Sequence, residues 1–181
     1  MKYIITGGPC TGKTTMIDEL RKKKFECVLE APRIIIEHEQ KKKKGVLPWT
    51  DLKKFQKYVI REQLRLERTI KKTPVFLDRG LPDVLGYSNL ANINLGEKIL
   101  HRIKKANYTK VFFLEQLDIF HTDDVRKESK EEADKIHEAI FEAYENLGFE
   151  IIKVPSLPVK ERVEFILEKI GMPKVPSKKV K

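Results

Sequence analysis

Eight residues near the amino end, Gly7-Gly8-Pro9-Cys10-Thr11-Gly12-Lys13-Thr14, constrain the fold of this chain more than any other stretch. They read G-x-x-x-x-G-K-[ST], and their flanks are the ones such a loop needs. Tyr3-Ile4-Ile5-Thr6 is a short β-branched run suited to a buried parallel strand. Thr15 to Arg21 carries Met16, Ile17 and Leu20 at helical spacing. A strand, a glycine-rich turn and a helix N-terminus in that order point backbone N–H groups and the positive end of the helix dipole at one spot. That spot is a phosphate cradle, formed by Gly7, Gly8, Pro9, Cys10, Thr11, Gly12, Lys13, Thr14 and Thr15. Lys13 is expected to reach the β- and γ-phosphates of ATP or GTP, and the Thr14 hydroxyl to bind Mg²⁺.

The rest of the chain repeats the alternation. Phe25–Leu29, Pro74–Asp78, Val111–Leu114 and Phe149–Val154 read as further strands. Helices are expected over Ala31–Gln40, Asp51–Lys72, Asp83–Leu90, Glu97–Lys105, Glu131–Leu147 and Val159–Ile170. Thr50 is the expected N-cap of the long helix, with Leu52, Phe55, Val59 and Leu66 on its buried face. Lys41 to Gly45 reads as a mobile charged loop, and Trp49 with Phe55 as core, the weaker alternative being the wall of a base or ring pocket. Strands alternating with helices predict a three-layer α/β/α fold around a five-stranded parallel sheet. Residues 1–171 form one expected domain with a charged lid at about 117–130; 172–181 is a basic, frayed tail.

Sites in such sheets lie outside the carboxyl ends of the strands, which brings Glu30 and Asp78 toward the phosphate loop. An acid ending a buried strand there can hold Mg²⁺ or its waters, or else cap the next helix or pair with a lysine. Arg79 follows Asp78 where a second acid would polarise water in a motor ATPase. An arginine instead suits an anionic group on a second substrate. Arg33, one turn beyond Glu30, faces the same pocket or a surface ion pair.

Net charge is +10, with 35% charged residues, but the lysine clusters are scattered and few aromatics interleave them. A nucleic-acid footprint is therefore the weaker reading, and solvated surface the stronger. No run of about 18 apolar residues suggests a membrane span. Two cysteines without framework spacing, and an N-terminus that enters a strand directly, fit a cytoplasmic protein. Nothing in the sequence excludes a homodimer.

The Walker A loop, the strand ending in Asp78-Arg79-Gly80 and the later charged segment resemble the thymidylate and deoxynucleoside kinase superfamily. More closely, Ile5-Thr6-Gly7-Gly8-Pro9, Glu30-Ala31-Pro32-Arg33, Leu47-Pro48-Trp49 and Asp78-Arg79-Gly80-Leu81-Pro82-Asp83 resemble a family of predicted ATP-binding proteins. That family has an AAA-labelled, nicotinamide-riboside-kinase-like P-loop domain. The likeness continues through Thr122 to Arg126, Ala143 to Gly148 and Val154 to Arg162. It implies sheet order 2-3-1-4-5. By this resemblance Glu30 accepts the proton of an attacking hydroxyl, although it also suits a helix N-terminus by charge alone. Arg126 is the implied lid arginine, with Lys127 and Lys130 as alternatives.

The implied activity is transfer of the γ-phosphoryl of ATP·Mg to a small nucleoside- or nucleotide-like acceptor held between Glu30, Arg33 and Arg79, with Lys13, Glu30, Asp78, Arg79 and Arg126 catalytic. The alternative is an ATP- or GTP-hydrolysing regulatory protein acting through a partner, though no Asn-Lys-x-Asp guanine signature is present.

Overall fold

The computed structural model describes residues 1–117 and 129–172. Arg126, its neighbours His121 and Lys127, nearly all of the expected lid and all but Met172 of the expected tail lie outside the described residues.

Five strands, β1 (Lys2–Thr6), β2 (Glu26–Val28), β3 (Val75–Asp78), β4 (Lys110–Leu114) and β5 (Ile151–Val154), form one parallel sheet in the order β2-β3-β1-β4-β5. The helices are α1 (Lys13–Lys22), α2 (Ala31–Glu39), α3 (Leu52–Arg68), α4 (Leu81–Leu90), α5 (Glu97–Lys104), α6 (Lys130–Asn146) and α7 (Val159–Lys169). The expected topology holds. Successive strand side chains point to opposite faces and so sort the core into two layers. Tyr3, Ile5, Phe76, Phe112 and Leu114 pack against α1 and α7 through Met16, Leu20, Val163 and Ile166. Ile4, Leu77, Val111 and Phe113 face the other way, onto Ile140 and Tyr144 of α6. Beyond them α2, α3, α4 and α5 share their own apolar cluster around Phe55, Val59 and Val84.

Several local expectations are corrected. Strand β2 is shorter than expected because it sits at the sheet edge and pairs with β3 alone, so Glu30 stands at the first position before α2 rather than ending a strand. Helix α3 stops at Arg68, where the Thr69 hydroxyl donates to Leu66 O; the Lys71 and Lys72 amides then donate to the Glu26 carboxylate. Asp51, not Thr50, caps α3, accepting the Lys54 N–H at 2.9 Å. Thr50 instead closes the preceding turn, accepting the Leu47 N–H. That turn sends Val46 into the core and leaves Trp49 62% exposed, so Trp49 is surface while Phe55 is core. The loop after α2 is tied down: buried Glu39 accepts the Val46 N–H at 2.9 Å and pairs with Lys42.

Candidate active site

Strand β1 ends at Thr6 and the chain turns through the phosphate loop into α1. Gly7 has φ +140°, and a Cβ there would lie 2.7 Å from the Leu114 carbonyl oxygen, so only glycine lets β1 leave the sheet this close to β4. Cys10 and Gly12 also take positive φ, curling the loop back on itself. Gly7, Gly8, Pro9, Thr11 and Lys13 are buried, Cys10, Gly12 and Thr14 half-buried, and Thr15 exposed. The Lys13 ammonium folds over the loop and donates to Gly8 O at 2.6 Å and Gly7 O at 3.0 Å. These are oxygens of its own cradle, and phosphate oxygens are stronger acceptors for the same charge.

Beside the loop, β3 delivers Asp78 in register with Ile5. Asp78 is 3% exposed, and its Oδ1 has no hydrogen-bond partner. Burial, reinforced by the Glu30 charge and opposed by Lys13 and Arg79, pushes its pKa up to about 7. A buried carboxylate oxygen without a donor, within reach of the Lys13 charge, is the donor chemistry that a hard divalent cation takes.

Arg79 leaves the strand with φ +72°, unusual for a residue with a side chain, and is held there from several sides. Its N–H donates to Ile5 O at 3.0 Å, and its carbonyl accepts from Gln63 Nε2. The guanidinium reaches Glu30 Oε1 from Nε at 2.8 Å and Asp83 Oδ1 from Nη1 at 3.2 Å, and lies 5.6 Å from the Tyr87 ring centroid. Burial opposes the charge, but Tyr87, Glu30 and Asp83 outweigh it and hold the pKa well above the ordinary arginine value. Thus Glu30 and Arg79, both predicted, meet directly. Arg33 joins them more loosely: its Nε lies 3.7 Å from Glu30 Oε2, and its side chain is 39% exposed.

Sequence reasoning passed over two residues that this geometry makes important. Asp83, buried in the first turn of α4, accepts four hydrogen bonds. Oδ1 takes the Thr6 hydroxyl at 2.7 Å and Arg79 Nη1; Oδ2 takes the Gly80 N–H at 3.0 Å and the Tyr144 hydroxyl at 2.6 Å. An acid in the first turn after Gly-Leu-Pro signals a helix cap, but the sequence does not announce the Arg79 clamp. His137 of α6 accepts the Gly8 N–H at its Nδ1, 3.0 Å away and 129 residues apart in sequence. Burial, helped by the Lys13 charge, lowers the His137 pKa to about 4, so the ring stays neutral and able to accept.

Residues 2–162 match a known domain family, the AAA domain. The chain belongs to that family. No curated protein sequence is significantly similar to it. Among solved structures, it is similar to deoxyadenosine kinase from M. mycoides with bound dCMP and a flexible dCDP, at 20% identity and TM-score 0.70, over 94% of this chain and 98% of that one. It is similar to thymidylate kinase from Candida albicans at 16% identity and TM-score 0.65, over 94% and 90% of the two chains. The NadR protein in complex with NR matches at 15% identity and TM-score 0.72, over 95% of this chain but 52% of NadR. At these identities the likeness establishes the fold. The chain has the P-loop fold of the nucleoside and nucleotide kinases, as its motifs implied. Among the described residues no helix is long and apolar enough to cross a membrane.

Proposed function

We propose that this protein is a phosphotransferase that moves the γ-phosphoryl group of ATP·Mg to a small nucleoside- or nucleotide-like acceptor. The observation that carries this reading is the Glu30–Arg79 pair, its arginine buried, beside the phosphate loop. A hydrolase needs only a positioned water near the γ-phosphate. A second, specific binding corner made of an acid and a clamped arginine suits a second substrate.

Each residue then has a task. The loop amides and Lys13 hold the triphosphate, Lys13 exchanging its loop carbonyls for phosphate oxygens. Thr14 and Asp78 would hold Mg²⁺, which supplies charge neutralisation across the β- and γ-phosphates when bound. Arg79 and Arg33 hold an anionic or polyhydroxyl acceptor, and Glu30 takes the proton from its attacking hydroxyl. Glu30 is half-buried and Arg33 partly exposed, so an acceptor can approach the pair from the Arg33 side. Arg126, from the chain between β4 and α6, is the proposed transition-state arginine.

The same pairing also favours a second reading. Glu30 and Arg79 satisfy one another without an acceptor, as a nucleotide-dependent regulatory protein would have them. Coupled ADP release measured across nucleosides, nucleotides and nicotinamide riboside, against an acceptor-free control, separates the two. Phosphotransfer requires slow basal hydrolysis and strong stimulation by one acceptor class. Hydrolysis that no acceptor changes would replace it with the regulatory reading.

A further inference from the structure

We propose that Arg162, in the first turn of α7, is the positioning residue of the phosphate loop. It grips the Thr11 carbonyl and so aims the Gly12 N–H at the phosphates of a bound triphosphate. This rests on the reading of the loop as a triphosphate site, and not on the identity of an acceptor.

The side chain is in a costly place. Arg162 is 1% exposed, and among the described residues its hydrogen bonds go to backbone carbonyls and not to a carboxylate. Its Nε has no hydrogen-bond partner, and burial, only partly offset by the Glu115 charge, lowers its pKa below the ordinary arginine value. A buried guanidinium without a carboxylate usually destabilises a fold relative to an apolar side chain of the same length. Packing alone therefore does not explain it. What the guanidinium does touch is specific. Nη1 donates to Thr11 O at 2.9 Å, and Nη2 donates to Glu115 O at 3.3 Å, just beyond the end of β4. One planar cation thus bridges the phosphate loop and the end of the neighbouring strand, across 151 residues of sequence in the first contact.

The consequence follows from the peptide bond. Its atoms are coplanar and trans, so the Thr11 C=O and the Gly12 N–H point in opposite directions. Fixing the carbonyl on the Arg162 side fixes the N–H on the other side, toward the concave face that the loop wraps. Among the described residues the Gly12 N–H donates to no protein acceptor. Gly12 is also where Arg162 makes its closest demand: a Cβ there would lie 3.2 Å from Nη1, on a backbone already at φ +83°. The last glycine of the motif is thus required both by the left-handed turn and by the arginine behind it.

The test uses the full chain and two variants, Arg162→Met and Arg162→Lys. Affinities for ATP and for inorganic tripolyphosphate are measured well below the melting temperature, with the Gly12 amide followed by ¹⁵N NMR through each titration. Arg162→Met is expected to weaken both ligands by about tenfold or more and to shrink the phosphate-induced Gly12 amide shift. Arg162→Lys, which keeps the charge but not the two-pronged grip, should fall between. A role confined to bracing the fold would lower the melting temperature and leave affinity and the Gly12 shift unchanged, which overturns the proposal. If Arg162→Met does not fold, Arg162→Lys decides, and wild-type affinity with a wild-type Gly12 shift overturns it. A wild-type protein that binds neither ligand overturns this proposal and the phosphotransfer reading together. If ATP binds and depends on Arg162 while no acceptor stimulates ADP release, the positioning role stands and only phosphotransfer falls.

Discussion

The phosphate loop and the Glu30–Arg79 corner lie at the carboxyl ends of neighbouring strands, yet they are built by opposite means. The loop is backbone: contiguous residues whose amides, glycines and helix N-terminus form the proposed site for a phosphate chain. The corner is side chain: Glu30 just before α2, Arg79 after β3 and Asp83 in α4, fixed by Tyr144 of α6. A backbone site is generic, since every residue owns an N–H. A side-chain site is selective, because each partner can be swapped for one that fits another ligand. On the proposed reading, this difference assigns nucleotide binding to the loop and choice of acceptor to the corner.

Breaking each region should give a different failure. Lys13→Ala removes the one strong charge of the loop, and transfer is expected to fall by about 10³-fold or more, with loss of triphosphate affinity and a near-native melting curve. Calorimetric titration with ATP, alongside thermal denaturation, checks both halves. Asp83→Ala should break the corner instead. It leaves the buried Arg79 charge, the Tyr144 hydroxyl and the Gly80 N–H short of their acceptor, and is expected to cost about 3–5 kcal/mol in urea denaturation. A loss below about 1 kcal/mol would show that the clamp is dispensable. Glu30→Gln should slow the acceptor-dependent step by about 10²-fold while ATP affinity stays within a few-fold, read from kcat against the nucleotide dissociation constant.

Asp78 lies between the two regions and should report on both through pH. With its pKa raised to about 7, it must lose a proton to bind a cation, so Mg²⁺ affinity should weaken by up to about tenfold for each pH unit below 7. The same shift works against stability. The unfolded state releases this proton near the ordinary value of 3.8 and the native state keeps it until about 7, so the wild-type protein loses stability as pH rises between them. Asp78→Asn should remove that loss and be more stable than wild type at pH 8, by about 1 kcal/mol or more, while losing Mg²⁺-dependent activity. Equal melting temperatures at pH 8 would contradict the burial argument.

The smallest effect is expected at His137. Its pKa of about 4 lies below the ordinary 6.5, so the unfolded state gains a proton first and stability should drop as pH falls from 6.5 toward 4. His137→Gln should flatten that slope and cost about 1 kcal/mol at neutral pH, through a weaker acceptor for the Gly8 N–H.

The sequence by itself determined the fold and the phosphate loop, because both are written in local patterns. Alternating apolar strands and amphipathic helices need no partner to be recognised, and Gly7 to Thr14 is a contiguous run whose function is its backbone. It also nominated Asp78 and Arg79 at the end of β3, and Glu30, though as a strand end where the structure makes it the first residue before α2. Only the tertiary structure decided that Glu30 and Arg79 bind each other, that Asp83 and Tyr144 lock Arg79 in place, and that His137 and Arg162 grip the loop from opposite sides of the sheet. It also decided that Trp49 faces outward. These contacts join residues up to 151 positions apart. Whether a given polar side chain meets a buried partner or water depends on the packing of layers, which one-dimensional periodicity does not encode.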